Sequence, residues 1–348
     1  MELPEGRSID LTWDLLRGAI DVHVHAGPHL KSSPRRLDPI EAAVDARKHG
    51  MRAYCLKDVF EMTTGTAWLV NNHVSDFTVY GGLMLNTVYG GMNPRAFKTA
   101  IHYGDGAKFF EFGAHSTYYQ ASKEGRMVDG KFRTLAELYP KFKKEELDRA
   151  IRIPLEEDPD PALDEMLSLL AENPQIYMDT GHISPEEAVR VVDLRKKYGY
   201  KKIVVSSAVT KVATMEQLKY MADQGAFIEF TFGAYEAAQM VPLTHYYVEK
   251  EYATIDEGMS QEASGGVREV AKMMKELGCN RCIMSTDFGR YGLSTPAEGL
   301  RQFIACMLDL GITPEEITYM VKTNPEKLIG LEPLDEPPAA EKEYDLKF

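Results

Sequence analysis

The sequence predicts an α/β fold, a (β/α)8 TIM-like barrel. Two observations carry this prediction. Eight short apolar segments, most of them rich in β-branched or aromatic residues, are typical of buried strands, and amphipathic segments of helical period separate them. Strands that alternate with helices indicate a parallel sheet. A count of eight favours a closed barrel, and a doubly wound open sheet is the alternative.

The predicted strands share a short length and an apolar character, and most end next to a polar residue. They are residues 18–25, 52–58, 77–85, 107–112, 175–180, 202–207, 226–232 and 281–287.

The predicted helices carry clear start and stop signals. Asp38 is a candidate N-cap, Pro39 follows at the first helical position, and Gly50 comes at the end. Residues 184–199 repeat this pattern of Ser, Pro and a final Gly. Similar amphipathic segments occupy residues 214–225, 266–278 and 295–311.

Two connections are too long to be simple loops, and they follow the fourth and seventh strands. Residues 115–160 contain Asp129-Gly130, a hairpin signal, and residues 233–264 are rich in tyrosine. Long insertions in a compact domain are usually functional. Because both follow barrel strands, we expect them to be lids over the C-terminal mouth.

Length and composition indicate one domain in a soluble, cytoplasmic protein. The 348 residues predict a barrel over 1–331 and an acidic, Pro-rich tail over 332–348. A net charge of −13 argues against nucleic acid and anionic membranes as partners. No apolar run is long enough to span a bilayer, and the N-terminus does not resemble a secretory signal.

Four cysteines in a chain of this length favour a reducing compartment. Cys279 and Cys282 form a C-x-x-C pair, but no second pair completes a zinc site. We interpret them as ordinary thiols near a helix–strand junction, with a redox pair as the alternative.

The strongest chemical signal is His23-Val24-His25 at the end of the first strand. Strand alternation would put His23 and His25, together with Asp21, on one face. Imidazole is a common ligand of zinc and similar divalent metals. The pair therefore predicts a metal site at the barrel mouth, with a structural buried pair as the alternative.

Two further residues fit the same site. Asp287 ends the eighth strand, which adjoins the first when a barrel closes, so its carboxylate could bind the metal or accept a proton. His182 follows the fifth strand and is a candidate third imidazole. The alternatives are a helix-capping Asp and a loop His beside the Ser184 helix start.

The pattern of these residues resembles that of the amidohydrolase superfamily of metal-dependent hydrolases. Several short segments of the sequence resemble a poorly characterised subgroup of that superfamily. The resemblance runs from about residue 18 to 331 and includes the closing Asn-Pro-x-Lys-x-x-Gly-Leu segment. It implies a (β/α)8 barrel with metal ligands His23, His25, His182 and Asp287. Glu111, on the fourth strand, is nearest the family's bridging position, with a buried acid paired to Lys or Arg as the alternative.

The sixth strand departs from the family pattern. It has Ser206 and Ser207 where the family places a His, which favours one metal over two. Glu111, Lys108 or His115 could complete the site in place of that His. On the substrate side we expect Lys57, His115 and Ser207.

The resemblance implies hydrolysis of a C–N or C–O bond, in an amide, lactone or ester of a small molecule, by a metal-activated water. Asp287 would be the catalytic proton acceptor. The cofactor is expected to be Zn, and Mn, Fe or Ni would suit the same ligands. A decarboxylase or lyase on the same barrel, or a non-catalytic metal-binding or ligand-binding barrel, are the alternatives. Barrels of this kind often pair, so a homo-oligomer is an open expectation.

Overall fold

Parallel strands alternate with helices along most of the chain. The computed structural model describes residues 9–235, 259–260 and 266–341. Within them every predicted strand segment contains a strand, and these strands pair in parallel. The predicted α/β class with parallel sheets is confirmed.

Twelve strands lie in the described residues, and the third predicted strand is divided into two. They are β1 Ile20–Val24, β2 Ala53–Leu56, β3 Thr78–Tyr80, β4 Gly82–Met84, β5 Phe109–Glu111, β6 Glu124–Val128, β7 Lys131–Thr134, β8 Tyr177–Asp179, β9 Ile203–Val205, β10 Phe227–Thr231, β11 Met259–Ser260 and β12 Cys282–Ser285.

The parallel strands form two sheets, in the orders β1-β2-β3 and β12-β10-β9-β8-β5-β4. Only Gly81 separates β3 from β4 along the chain. At the other edges, Val24 makes a parallel bridge to Phe288, just beyond β12. The spatial order of the strands therefore follows their order in the sequence.

The break between β3 and β4 has a steric cause. A Cβ atom on Gly81 would lie 2.4 Å from the carbonyl oxygen of Thr63, a distance that real Cβ atoms do not reach. The Thr63 hydroxyl accepts a hydrogen bond from the Gly82 amide at 2.9 Å. The chain therefore passes close to the start of the next helix, where only glycine fits.

Sixteen α-helices lie in the described residues, and in that part of the chain every helix is too short or too polar to cross a membrane. They are α1 Ile9–Leu16, α2 Pro39–Lys48, α3 Thr64–Asn71, α4 Pro94–His102, α5 Tyr118–Ala121, α6 Leu135–Leu138, α7 Pro140–Glu145, α8 Pro161–Glu172, α9 Pro185–Tyr198, α10 Ser207–Thr210, α11 Met215–Asp223, α12 Phe232–Tyr235, α13 Val267–Leu277, α14 Pro296–Asp309, α15 Pro314–Thr318 and α16 Asn324–Ile329.

The predicted helix caps are confirmed. Asp38 accepts the Glu41 amide in a capping box at the start of α2, and Ser184 does the same with Glu187 at α9. Gly199 ends α9 with a φ of 86°, the left-handed conformation that glycine adopts at low cost.

Apolar side chains cover both faces of the parallel strands. Phe110 and Met178 belong to the larger apolar cluster, whereas their neighbours Phe109 and Tyr177 belong to a second cluster. Successive residues of a strand point to opposite faces, so the two clusters lie on opposite sides of the sheet. Burial on both faces is typical of parallel strands between helices.

The insertion over residues 115–160 contains the predicted hairpin. Asp129 and Gly130 have φ values of 50° and 72° and connect β6 to β7. Two successive positive φ angles are typical of a type I′ turn, which matches the twist of an antiparallel pair. β11 pairs antiparallel with β6, so the described part of the 233–264 insertion contacts the first insertion. Residues 236–258 and 261–265 of that segment lie outside the described residues.

The tail is described as far as residue 341, and that part has no regular secondary structure. The Arg17 guanidinium donates to the Pro338 carbonyl at 3.0 Å, and Glu341 forms an ion pair with Arg47 at 2.8 Å. These contacts attach the tail to the residues just before β1 and to α2.

In the described residues the thiols of Cys279 and Cys282 are buried and form no disulfide. The Asn324 amide donates to the carbonyls of Cys279 and Cys282 at 3.2 and 2.7 Å. In this arrangement the C-x-x-C backbone anchors the start of α16.

Candidate metal centre

Three of the predicted metal ligands converge at the ends of β1 and β12. His25 Nε2 lies 2.8 Å from Asp287 Oδ1, and His23 Nε2 lies 3.4 Å from the same oxygen. The ligand atoms of the three residues all lie within 4.8 Å of one another, and in the described residues this is the group that could hold a metal ion.

Backbone hydrogen bonds between the two chain segments hold this group together. The Asp287 amide donates to the His23 carbonyl, and the His25 amide donates to the Phe288 carbonyl, both at 2.8 Å. The register of β1 against β2 shifts between Asp21 and Val24, so simple alternation does not describe the end of this strand. The link to Phe288 and Asp287 orients the two histidines instead.

The backbone of Asp287 adopts an unusual conformation. Its φ is 56°, in the left-handed region, which aspartate tolerates better than most residues but still at some cost. Gly289 follows with a φ of 154°, and a Cβ atom there would lie 2.2 Å from the His25 carbonyl oxygen. The chain is thus bent tightly around His25, as is common at functional sites.

Hydrogen bonds define which nitrogen of each imidazole carries its hydrogen. His23 Nδ1 lies 3.3 Å from a Glu229 oxygen, and His25 Nδ1 lies 2.7 Å from the Lys57 carbonyl oxygen. Because both partners only accept, we assign the hydrogen to Nδ1 in each ring. Each Nε2 atom then faces the Asp287 carboxylate. Without a metal, Nε2 can hold a proton that it shares with this carboxylate, and with a metal its lone pair would bind the ion. Two lone pairs and a carboxylate oxygen at this distance fit a shared cation.

The two histidines differ in basicity. Burial, together with the charge of Arg35, lowers the pKa of His25 to about 4. Burial also opposes a charge on His23, but the carboxylates of Glu229 and Asp287 raise its pKa to about 9. Although burial favours the neutral acid, the two imidazoles hold the pKa of Asp287 well below its usual range. Asp287 is therefore a carboxylate at neutral pH.

Glu229, in the middle of β10, supports His23 and was not predicted from the sequence. It is fully buried and accepts hydrogen bonds from the Ser285 hydroxyl at 2.6 Å and the Ser207 amide at 3.1 Å. Burial alone would raise the pKa of Glu229, but His23 lowers it to about 2. A single acid between apolar residues of a strand was the available signal.

A buried ion cluster surrounds the Lys57 ammonium group. Lys57 is fully buried, and its Nζ atom lies 3.0 Å from Glu111 Oε2 and forms a short hydrogen bond with Asp179. Glu111 and Asp179 are neighbours across β5 and β8. Burial raises the pKa of Glu111 to about 7, and despite burial the carboxylates raise that of Lys57 well above its usual value.

This cluster contains two residues that the sequence predicted for the site, Glu111 and Lys57, and one that it did not, Asp179. Glu111 pairs with Lys57, which is the alternative that the sequence left open, and lies outside the three-residue group. Its role as a ligand, and that of Lys57 in substrate binding, stay predictions. Asp179 was not singled out in the sequence, although it is also a lone acid at the end of an apolar strand.

His182 and His115 lie together beside the site. Their ring centroids are 5.7 Å apart, and the described residues offer no hydrogen-bond partner to the buried Nδ1 atom of His182. Burial lowers the pKa of His182 well below its usual value. His115 contacts Glu124 of β6 through a short hydrogen bond. His182 is not part of the close three-residue group, so its role as a ligand stays a prediction.

The serines of the sixth predicted strand bond to the backbone. Ser206 caps α10 through the Ala208 amide, and the Ser207 hydroxyl accepts the Thr231 amide at 3.2 Å. Ser207 is buried, and its predicted contact with substrate stays a prediction.

Comparison with known proteins places the chain in a family. The model of the family of unknown function DUF6282 matches residues 18–229, a range that includes His23, His25 and Glu229. The chain belongs to this family. Among curated proteins, none matches this chain in sequence.

Solved structures of amidohydrolases share the fold. The probable dipeptidase PvdM from Pseudomonas aeruginosa has a TM-score of 0.60 at 13% identity, with 94% of this chain and 98% of that chain covered. An amidohydrolase from Pseudomonas aeruginosa has a TM-score of 0.52 at 12% identity, with 92% and 97% covered. An amidohydrolase from Burkholderia multivorans with bound zinc has a TM-score of 0.52 at 10% identity, with 90% and 99% covered. The chain therefore shares the overall α/β fold of these amidohydrolase structures, and closure of the eight-stranded barrel stays a prediction.

Proposed function

We propose that this protein is a metal-dependent hydrolase that cleaves a C–N or C–O bond in an amide, lactone or ester of a small molecule. The observation that carries the proposal is the convergence of His23 Nε2 and His25 Nε2 on Asp287 Oδ1. Both Nδ1 atoms face hydrogen-bond acceptors, so the Nε2 lone pairs are available to a cation. The fold shared with amidohydrolases supports the same reaction class.

The proposal includes a closed eight-stranded barrel. Two features support closure. β3 and β4 follow each other across the single residue Gly81, and the Val24–Phe288 bridge connects β1 to the end of β12. In such a barrel the residues after the strands meet at the C-terminal mouth, where enzymes of this architecture have their active sites.

His23, His25 and Asp287 would hold one divalent ion, which we propose to be zinc. Manganese, iron and nickel suit the same nitrogen and oxygen donors. His182 is the proposed fourth ligand, supported by its buried, unpartnered Nδ1 atom. Such an ion, when bound, supplies a Lewis acid and lowers the pKa of a coordinated water toward neutrality.

Asp287 is the proposed proton acceptor of the reaction. It is a carboxylate at neutral pH. The two imidazoles that contact it are oriented by the hydrogen bonds of their Nδ1 atoms to Glu229 and to the Lys57 carbonyl. The negative charge of Glu229 would stabilise positive charge on His23 when a metal ion binds nearby. The Lys57 cluster contributes the backbone carbonyl that orients His25.

We also propose that residues 115–160 and 233–264 cover this site as lids. The pairing of β11 with β6 and the contact of Glu124 with His115 support this arrangement. The proposed substrate is a small molecule, the proposed compartment is the cytoplasm, and a homo-oligomer stays a prediction. The net charge of −13 is the reason why nucleic acid and membrane partners are not part of the proposal.

Metal analysis of purified protein, combined with a panel of amide, lactone and ester substrates, tests the proposal. We expect about one metal per chain and hydrolysis of at least one class. The His23→Ala/His25→Ala variant should lose metal and turnover yet stay folded by circular dichroism. His73→Ala/His102→Ala, which changes two exposed histidines, is the matched control. Full metal content in the first variant would refute the site, and metal without any turnover would favour a binding protein.

A further inference from the structure

Arg35 is a partly buried cation that forms no side-chain ion pair within the described part of the chain. It lies between β1 and α2, and its Nε atom is shielded from solvent and has no hydrogen-bond partner. Among the described residues, no carboxylate oxygen forms an ion pair with its guanidinium group. An arginine in this state has lost part of its hydration without gaining a direct hydrogen bond at Nε, which is costly.

Several other arginines in the described residues have partners, although the Nε atoms of Arg126 and Arg190 are also buried without a hydrogen bond. Arg52 pairs with Glu326 at 2.7 Å, and Arg301 pairs with Glu298 at 2.6 Å. Arg36, next to Arg35 in sequence, is exposed and donates to the Leu293 carbonyl at 2.8 Å. Within the described residues, Arg35 differs from Arg52, Arg301 and Arg36 because its buried Nε atom has no hydrogen bond.

Backbone contacts hold the Arg35 loop against the candidate metal centre. The Gly27 amide donates to the Leu37 carbonyl, and the Arg36 amide donates to the Gly289 carbonyl, both at 2.8 Å. Arg35 itself forms a backbone bridge with Arg290, three residues after Asp287. The loop thus begins at the histidine strand and returns to the segment that carries Asp287.

The electrostatic effect of Arg35 on His25 agrees with a position of Arg35 near the candidate metal centre. The charge of Arg35 contributes to the low pKa of His25, and Asp58 and Asp287 in turn partly offset the effect of burial on Arg35 itself. Burial lowers the pKa of Arg35 to about 10, so the group keeps its charge at neutral pH. A partly buried positive charge therefore lies within electrostatic reach of the metal ligand His25.

We propose that Arg35 binds an anionic group, a carboxylate or a phosphate, on the substrate whose bond is cleaved at the His23–His25–Asp287 site. The inference rests on the proposed hydrolase function and narrows its substrates to acidic small molecules. The planar guanidinium fork matches the paired oxygens of either group, and a substrate oxyanion would compensate the buried Nε–H. Arg35 is thus a specificity-determining residue, and it takes no part in the proton transfer.

Hydroxamate probes test this inference without knowledge of the substrate. The zinc-loaded protein is titrated calorimetrically with acetohydroxamic acid, which binds metal and carries no second anion. It is then titrated with the monohydroxamates of malonic and succinic acid and with phosphonoacetohydroxamic acid. We expect at least one anionic probe to bind ten- to a hundredfold more tightly than acetohydroxamic acid, the gain typical of a charge-assisted hydrogen bond. The carboxylate and phosphonate arms show which oxyanion the site prefers.

Variants of Arg35 and of its neighbour Arg36 show whether Arg35 itself binds the anionic group of the probe. In Arg35→Gln the advantage of the anionic probe should vanish while the affinity for acetohydroxamic acid changes by less than about twofold. Arg35→Lys should retain part of the advantage, and the neighbouring Arg36→Gln should retain all of it. An undiminished advantage in Arg35→Gln, or equal affinities in the wild type, would overturn the inference and leave the hydrolase proposal standing. If elemental analysis finds no zinc in the loaded wild type, the metal centre itself is wrong and the inference falls with it.

Discussion

Glu229 and His23 form a buried carboxylate–imidazole pair, with 3.3 Å between the Glu229 oxygen and His23 Nδ1. β10 pairs with β12, whereas β1 belongs to the other parallel sheet, so the contact joins residues of two different sheets. A carboxylate in this position fixes the hydrogen on Nδ1, orients the ring and raises the basicity of Nε2. We therefore regard Glu229 as the main positioning residue of the candidate metal centre.

Replacement of Glu229 by glutamine tests this relationship. The amide oxygen can still accept from His23, but the negative charge is lost. We expect zinc affinity to fall by about 10- to 100-fold, the usual cost of losing such a supporting group. Competition with a chromophoric chelator measures the affinity. The matched control is Glu298→Gln on α14, which should bind zinc as the wild type does, and equal affinities in the two variants would contradict the assignment.

Replacement of Asp287 by asparagine distinguishes its proposed role as a metal ligand from its proposed role as a proton acceptor. Asparagine keeps the size and one oxygen donor but cannot accept a proton at this position. Zinc should be retained while turnover on a substrate from the panel falls by roughly 10²–10⁴-fold. Asp38→Asn, which preserves a helix cap, is the control. Near wild-type turnover in Asp287→Asn would move the base elsewhere, with His182 and Glu111 as the next candidates.

Replacement of Lys57 by methionine leaves Glu111 and Asp179 buried without their shared cation. Breaking a buried ion pair in this way typically costs about 3–5 kcal/mol, so the urea midpoint should fall sharply. In Lys98→Met, which removes an exposed pair with Glu165, the expected loss is under about 1 kcal/mol. If both variants were equally stable, the two acids would not both be ionised in the folded protein.

Asp58 should make the stability of the protein dependent on pH. Burial raises its pKa to about 6, and the Phe60 amide that donates to it opposes this only in part. The folded chain therefore binds this proton more tightly than the unfolded chain does, where the pKa is near 4. Its contribution to stability is largest below about pH 4 and is lost as the pH rises to about 6.

The Asp58→Asn variant lacks this dependence but keeps an oxygen for the Phe60 amide. The difference in unfolding free energy between variant and wild type should grow in favour of the variant by on the order of 2 kcal/mol from pH 4 to pH 7. Urea titrations across this range measure it. Parallel profiles for the two proteins would show that Asp58 is not desolvated as described.

The sequence by itself determined the strand positions, the helix caps, the hairpin at Asp129-Gly130 and the candidate ligands His23, His25 and Asp287. These features are local, because periodicity, cap residues and turn residues act over a few positions of the chain. The division of the third strand at Gly81 was not predicted, since it depends on the approach of Thr63 from another segment.

Only the tertiary structure decided which residues support those ligands. Glu229 and His23 are 206 positions apart, and Lys57 and Asp179 are 122 positions apart. A lone acid in a strand does not reveal its partner, since the same residue could bind a metal, pair with a lysine or accept from a histidine. The choice among these depends on which side chains the strands bring face to face.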